Sequence, residues 1–269
     1  MLTAKEIEVK GNKVSYFDEG KGEIPIIFIH GFPFNKTMWK DQVSLLSASH
    51  RVIAYDVRGY GGSQAGVEEF TIDQFADDLF SLMDALEISK AVICGLSMGG
   101  YIVLNALTKQ HERIVGLMLA DTQCAADTEE GKDKRRKTIA FIKKNGLKEY
   151  ADESMKNLFA PQSFTDNKEQ VTFVKNIILH TEAQSICKTL EALATRSETC
   201  STLDKIKIPT LIIVGKEDKV TPLAAAQKMN ELIANSQLHV INEAGHMSNL
   251  ENMTDFTEQV KTFLTTHHL

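Results

Sequence analysis

No stretch of apolar residues in this chain of 269 is long enough to span a bilayer, and the opening Met1-Leu2-Thr3-Ala4-Lys5-Glu6 lacks the basic-then-apolar form of a secretion signal. A soluble, cytoplasmic protein with no membrane partner is expected. Basic residues are in deficit: 30 Lys and Arg against 36 Asp and Glu leave a net charge of −6, the opposite of the basic excess that marks nucleic-acid binding. No nucleic-acid partner is expected. The four cysteines, Cys94, Cys124, Cys187 and Cys200, form no Cys-x-x-Cys spacing and have no histidine pair nearby, so reduced structural thiols and no metal site are expected. The glycine-rich stretch 56–63 has neither the Lys-Ser/Thr ending of a P-loop nor the spacing of a dinucleotide fingerprint. It gives no reason to expect a phosphate-binding cofactor.

What is present is an alternation of two patterns. Continuous apolar runs at 24–29, 51–55, 91–96, 114–120, 210–214 and 238–241 read as strands buried on both faces of a parallel sheet. Between them, apolar residues recur at helical spacing, as in Met38, Trp39, Val43 and Leu46, or Ile72, Phe75, Leu79, Leu82 and Leu86. Thr71 with Gln74 three residues on is a capping-box start for the second of these helices, and Thr221-Pro222 suits the start of a helix over 223–233. Asp73, Asp77, Asp78 and Asp84 read as the solvated face of the helix that Thr71 opens. A short alternating pair around Gly11-Asn12 predicts an opening hairpin. From 122 to 203 the strand signal vanishes and only helical stretches remain, with the mixed charges of 127–137 expected on a solvated surface. The chain therefore reads as an α/β core over 1–121 and 204–269, with a mostly parallel central sheet flanked by helices, interrupted by a helical cap over 122–203.

One junction stands out. The strand run 91–96 leads directly into Gly95-Leu96-Ser97-Met98-Gly99, and helix-compatible residues follow. A serine at the apex of such a strand-to-helix turn is forced into an unfavourable backbone conformation with its hydroxyl exposed, and glycines on either side let strand and helix approach. Two more strand ends carry Asp218 and His246. Reactive groups gather at the carboxyl ends of such strands. A serine hydroxyl is a poor nucleophile at neutral pH and needs a base to take its proton. His246 suits that role, since its proton is exchanged near working pH, and Asp218 would hold the other ring N–H and stabilise the imidazolium.

Five segments, His30-Gly31-Phe32-Pro33, residues 56–63, Gly95 to Gly100, Gly215-Lys216-Glu217-Asp218 and Gly245-His246, stand in the order found in the α/β-hydrolase superfamily, which the chain resembles across nearly its whole length. Within it the chain is most similar to capped esterases and lactonases, among them 3-oxoadipate enol-lactonases. The resemblance implies the α/β-hydrolase fold with an inserted helical cap, a Ser97-His246-Asp218 triad needing no cofactor, and cleavage of small-molecule esters or lactones through an acyl-serine. Asp121, also at a strand end, is an alternative acid, as in some members of the superfamily, and Glu217 a more distant one. Backbone N–H groups of Phe32 and Met98 are the expected oxyanion donors. Where related enzymes carry a tryptophan before the Phe of the cap run, this chain has Leu158, which implies a more apolar pocket; Phe34, Phe159 and Met247, with Phe32 and Met98, are its expected substrate-binding walls. The same machinery serves carbon–carbon hydrolases, perhydrolases and slow-turnover ligand sensors in other members, and these are the alternatives. His30 is expected to be structural.

Overall fold

The apolar runs pair because a strand with no polar face has to be covered on both sides, and a parallel sheet between helix layers provides that. In the computed structural model, which describes residues 2–269, eight strands form one sheet: β1 (Lys5–Val9), β2 (Asn12–Glu19), β3 (Ile26–Ile29), β4 (Val52–Tyr55), β5 (Ala91–Leu96), β6 (Ile114–Ala120), β7 (Thr210–Gly215) and β8 (Ser236–Ile241). Their spatial order is β1-β2-β4-β3-β5-β6-β7-β8, parallel from β4 to β8, with β2 antiparallel to β4 and β1 antiparallel to β2. The opening hairpin turns at Lys10-Gly11, one residue earlier than expected, where both φ angles are positive.

Eleven α-helices appear among the described residues: α1 (Lys40–Leu46), α2 (Ile72–Ala85), α3 (Met98–Leu107), α4 (Glu129–Asn145), α5 (Lys148–Leu158), α6 (Ser163–Asp166), α7 (Lys168–Leu179), α8 (Ala183–Thr195), α9 (Leu223–Leu232), α10 (Ser248–Glu251) and α11 (Met253–His267). Alternate strand residues feed two cores. Ile27, Ile29, Ile53, Ile93, Leu117 and Ile212 pack with α2, α3 and α9, while Ile26, Phe28, Val52, Val92, Met118 and Ile213 pack with α1, α11 and the apolar faces of α4, α5 and α7. Thr71 caps α2 by accepting the Gln74 N–H at 2.9 Å. The acidic face of α2 is ion-paired rather than merely solvated: Asp78 holds Arg58 through two bonds of 2.7 Å, and Asp73 and Asp77 meet Lys109. The glycine-rich turn after β4 wraps a protein carboxylate. Asp56 accepts from the Gly62 N–H at 2.8 Å and from the Lys36 N–H and ammonium, each at 2.7 Å.

The stretch 122–203 contains helices and no strand among the described residues. Its two ends meet. Cys124 and Cys200 form a disulfide with Cα atoms 4.8 Å apart, which corrects the expectation of four reduced thiols; only Cys94 and Cys187 are free, and both are buried. The pairing has no sequence signal because the partners are 76 residues apart and are brought together by the return of the chain to β7. Such bonds are rare in a reducing cytosol, so the thiols do not argue for the expected cytoplasmic location. No helix among the described residues is long and apolar enough to cross a membrane.

Candidate active site

The chain crosses from β5 to α3 through a single residue. Ser97 has φ 53° and ψ −112°, a conformation that costs a non-glycine residue about 1–3 kcal/mol, and its neighbours hold it there. Its N–H donates to the Ala120 carbonyl at 2.9 Å, and its carbonyl accepts from Gly100 N–H at 2.9 Å and from the Thr122 hydroxyl at 2.8 Å. Glycine is required on both sides by close approach. A β-carbon at Gly95 would stand 2.3 Å from the Gly99 carbonyl group, and one at Gly99 2.4 Å from the Ile29 oxygen.

After β7 the chain turns at Asp218, and after β8 at His246. His246 Nδ1 and Asp218 Oδ2 lie 2.8 Å apart, both residues nearly fully buried. The carboxylate is otherwise occupied by donors: Val220 N–H at 2.7 Å and Thr221 N–H at 3.0 Å on Oδ1, and the Thr221 hydroxyl at 2.8 Å on Oδ2. Burial acts to raise the Asp218 pKa, but the His246 charge and these donors outweigh it, and the group lies below the usual range. Burial likewise acts to lower the His246 pKa, but the charge and hydrogen bond of Asp218, with the charges of Asp121 and Glu251, together outweigh it and raise the pKa above 6.5. Thr221 was expected at the start of a helix; Pro222 stands there instead, and Thr221 serves the acid. The bond from Val220 N–H to Asp218, two residues back, is an Asx turn, and an aspartate just past a strand end was the available signal for it.

The two alternative acids are placed elsewhere. Asp121 is fully buried, accepts from Gly215 N–H at 2.8 Å and bonds the Ser248 hydroxyl; burial and the Asp218 charge hold its pKa well above the carboxylate range. Glu217 accepts from the Gln162 side chain at 3.1 Å. His30 braces the loop after β3. Its Nδ1–H donates to the Gly31 carbonyl at 2.8 Å, Nε2 accepts from Val57 N–H at 2.9 Å, and burial lowers its pKa to about 4, so the ring is neutral.

Ser97, His246, Phe32 and Met98 line one cavity of about 340 Å³. Neither the Ser97 hydroxyl nor His246 Nε2 is held in a hydrogen bond among the described residues. Phe34, Phe159 and Met247 do not reach this cavity: all three are almost completely buried in the core around α1 and α11. Met247, for example, is fully buried although His246, the residue before it, lines the cavity. The apolar wall is supplied by Leu158, Leu190 and Leu193 of the helical stretch, with Tyr101, Tyr150 and Val220. Nor is the lining as apolar as expected. Lys134, Arg135 and Lys219 stand on it, and the charges of 127–137 are partly internal: Asp127 pairs with Arg135 and, at 2.6 Å, with Arg196, which lies 4.3 Å over the Tyr101 ring. Lys134 and Lys219 have no ion-pair partner among the described residues. No cluster of three metal-ligating side chains occurs among the described residues.

Comparison with known proteins adds three findings. The family described as alpha/beta hydrolase fold matches residues 24–253. The 3-oxoadipate enol-lactonase 2 of Acinetobacter baylyi is 30% identical over 261 residues, covering 97% of this chain and 94% of that protein. Among solved structures, a thermophilic esterase from Thermogutta terrifontis (malate bound) superposes with a TM-score of 0.94 at 30% identity, covering 99% of this chain and 100% of its own. The enol-lactonase from Burkholderia xenovorans LB400 gives 0.89 at 28% identity, covering 97% and 100%.

Proposed function

The chain belongs to the α/β-hydrolase fold family, and from that premise we propose that it is a carboxylic ester hydrolase acting on small-molecule esters or lactones through an acyl-serine. The observation that carries the reading is the buried 2.8 Å contact between His246 Nδ1 and Asp218, in a cavity shared with Ser97. With Nδ1 engaged, Nε2 is the nitrogen available to a nucleophile. Ser97 Oγ attacks the substrate carbonyl as His246 takes its proton, and the oxygen's developing charge is met by the backbone N–H groups of Phe32 and Met98. Collapse breaks the acyl C–O bond; the proton on His246 goes to the departing alkoxide, leaving an acyl-Ser97 and an alcohol. Water then attacks the acyl carbon with His246 again as base, and the acid leaves as Ser97 recovers its proton. For a lactone the alcohol and acid are one molecule. Asp218 keeps the imidazole in the tautomer both half-reactions need.

Names of the relatives support esters and lactones as the substrate class. The unpaired cations Lys134 and Lys219 on the cavity favour acyl groups that carry a second, anionic group. Hydrolysis of a p-nitrophenyl ester series from acetate to octanoate, by the wild type and Ser97→Ala, tests the reading. Sustained turnover that falls by about 10⁴-fold or more in Ser97→Ala is expected; equal rates in the two proteins would overturn it.

A further inference from the structure

Glu251 is a buried carboxylate that the reaction above does not use. It ends α10, five residues after His246, and each of its contacts is with a donor. Oε1 accepts from Ala160 N–H and from the Ser163 hydroxyl, each at 2.7 Å, and Oε2 accepts from Gly245 N–H, also at 2.7 Å. One carboxylate thus joins the turn that follows α5 in the helical stretch to the residue immediately before His246.

That turn is a support for the site as well as a neighbour of it. The His246 N–H itself donates to the Leu158 carbonyl at 2.8 Å. The two backbones touch without slack, since a β-carbon at Gly245 would stand 2.8 Å from the Ala160 nitrogen. Gln162, in the same turn, reaches Glu217 beside Asp218, and the Leu158 side chain forms part of the cavity wall. A shift of residues 158–163 therefore displaces the histidine loop, the acid loop and the pocket together. The backbone N–H groups of Gly245 and Ala160 both depend on this carboxylate for an acceptor.

We propose that Glu251 is a positioning residue for His246: its carboxylate seats the turn 158–163 on the Gly245–His246 loop and so fixes the imidazole relative to Ser97. The proposal rests on His246 being the base of the reaction. In Glu251→Gln the side-chain NH₂ must face at least one of the three donors, so the turn and the loop separate while the side-chain volume is kept.

The expected result is a kcat for p-nitrophenyl acetate lower by about 10- to 100-fold, the scale of a small misplacement of a reacting group, with KM within about twofold of wild type. Phosphonylation of Ser97 by a small alkyl fluorophosphonate, which needs His246 but little of the pocket, slows by the same factor. A merely architectural role would raise KM or lower the melting temperature and leave the phosphonylation rate unchanged. Should Glu251→Gln not fold, Ser163→Ala decides, because it removes one donor and leaves the carboxylate: a fall of about threefold in kcat at constant KM supports the proposal, and an unchanged kcat contradicts it. A fully active Glu251→Gln beside an inactive Ser97→Ala overturns this proposal alone, whereas an active Ser97→Ala overturns the reading beneath it.

Discussion

His246 and His30 are both buried, yet their surroundings move their pKa values in opposite directions. Burial acts to lower the His246 pKa, but the charge and hydrogen bond of Asp218, with the charges of Asp121 and Glu251, together outweigh it, so the ring holds its proton above pH 6.5 and cannot then accept one from Ser97. The expected kcat/KM profile loses activity as pH falls through a midpoint above 6.5. In Asp218→Asn that midpoint moves down, and the remaining rate is lower by about 10⁴-fold because the tautomer is no longer held. A pH series on both proteins checks this. For stability the two histidines also differ in sign. The fold favours protonated His246, a contribution present below pH 6.5 and lost as pH rises through its folded pKa. It favours neutral His30, whose pKa is lowered by burial to about 4, so that contribution is present above pH 6.5 and lost between 6.5 and about 4. The loss amounts to about 3 kcal/mol. Urea titrations at pH 7 and pH 4.5 are expected to show a smaller difference in His30→Gln than in wild type. Lys134 stands on the cavity without an ion-pair partner among the described residues and is exposed. Lys134→Met is expected to raise KM for a p-nitrophenyl half-ester of succinate by up to about fivefold, and to leave KM for the acetate unchanged.

The strand-to-helix turn at Ser97 depends on what its glycines leave out. A β-carbon at Gly95 would collide with Gly99 backbone at 2.3 Å, and neither strand nor helix can yield because both are held in the core. Gly95→Ala is expected to lower stability by about 3 kcal/mol, read as a reduced urea midpoint with an unchanged slope. The elements that carry Ser97, Asp218 and His246 were legible because their signals are local: an apolar run, then a residue that ends it. The supports were not. His246 hangs from the Leu158 carbonyl, 88 residues earlier in the chain. Contacts that span such distances leave no periodicity to read. The same reason explains Phe34, Phe159 and Met247. Each lies close in sequence to the expected cavity, but a sequence does not say which side of a loop faces the core, and all three fill it. The apolar wall instead comes largely from α5 and α8, whose inward faces are set by how the inserted helices settle on the sheet.

Across the whole molecule, the sheet fixes where the reactive groups stand and the helical stretch over it shapes what they meet. Both ends of that stretch are tied by the Cys124–Cys200 disulfide. Closing a loop of this length restricts the unfolded chain by about 4 kcal/mol, so reduction is expected to lower the melting temperature by several degrees, with Cys124→Ser insensitive to dithiothreitol. The alternation of strands and helices and the order of the five segments make the architecture readable in the sequence; the disulfide, the Asp127–Arg196 pair and the contacts of Glu251 with Ala160 and Ser163 arise only when distant segments meet. In the proposed reaction the substrate's acyl group passes through Ser97. Rapid acid quench of the wild type with p-nitrophenyl acetate, followed by mass spectrometry of the peptide spanning residues 91–107, tests it most directly. One acetyl group on Ser97, appearing within a turnover and absent in Ser97→Ala, is the expected result. Product formation with no acetylated peptide at any quench time, or acetylation that persists in Ser97→Ala, would contradict the account.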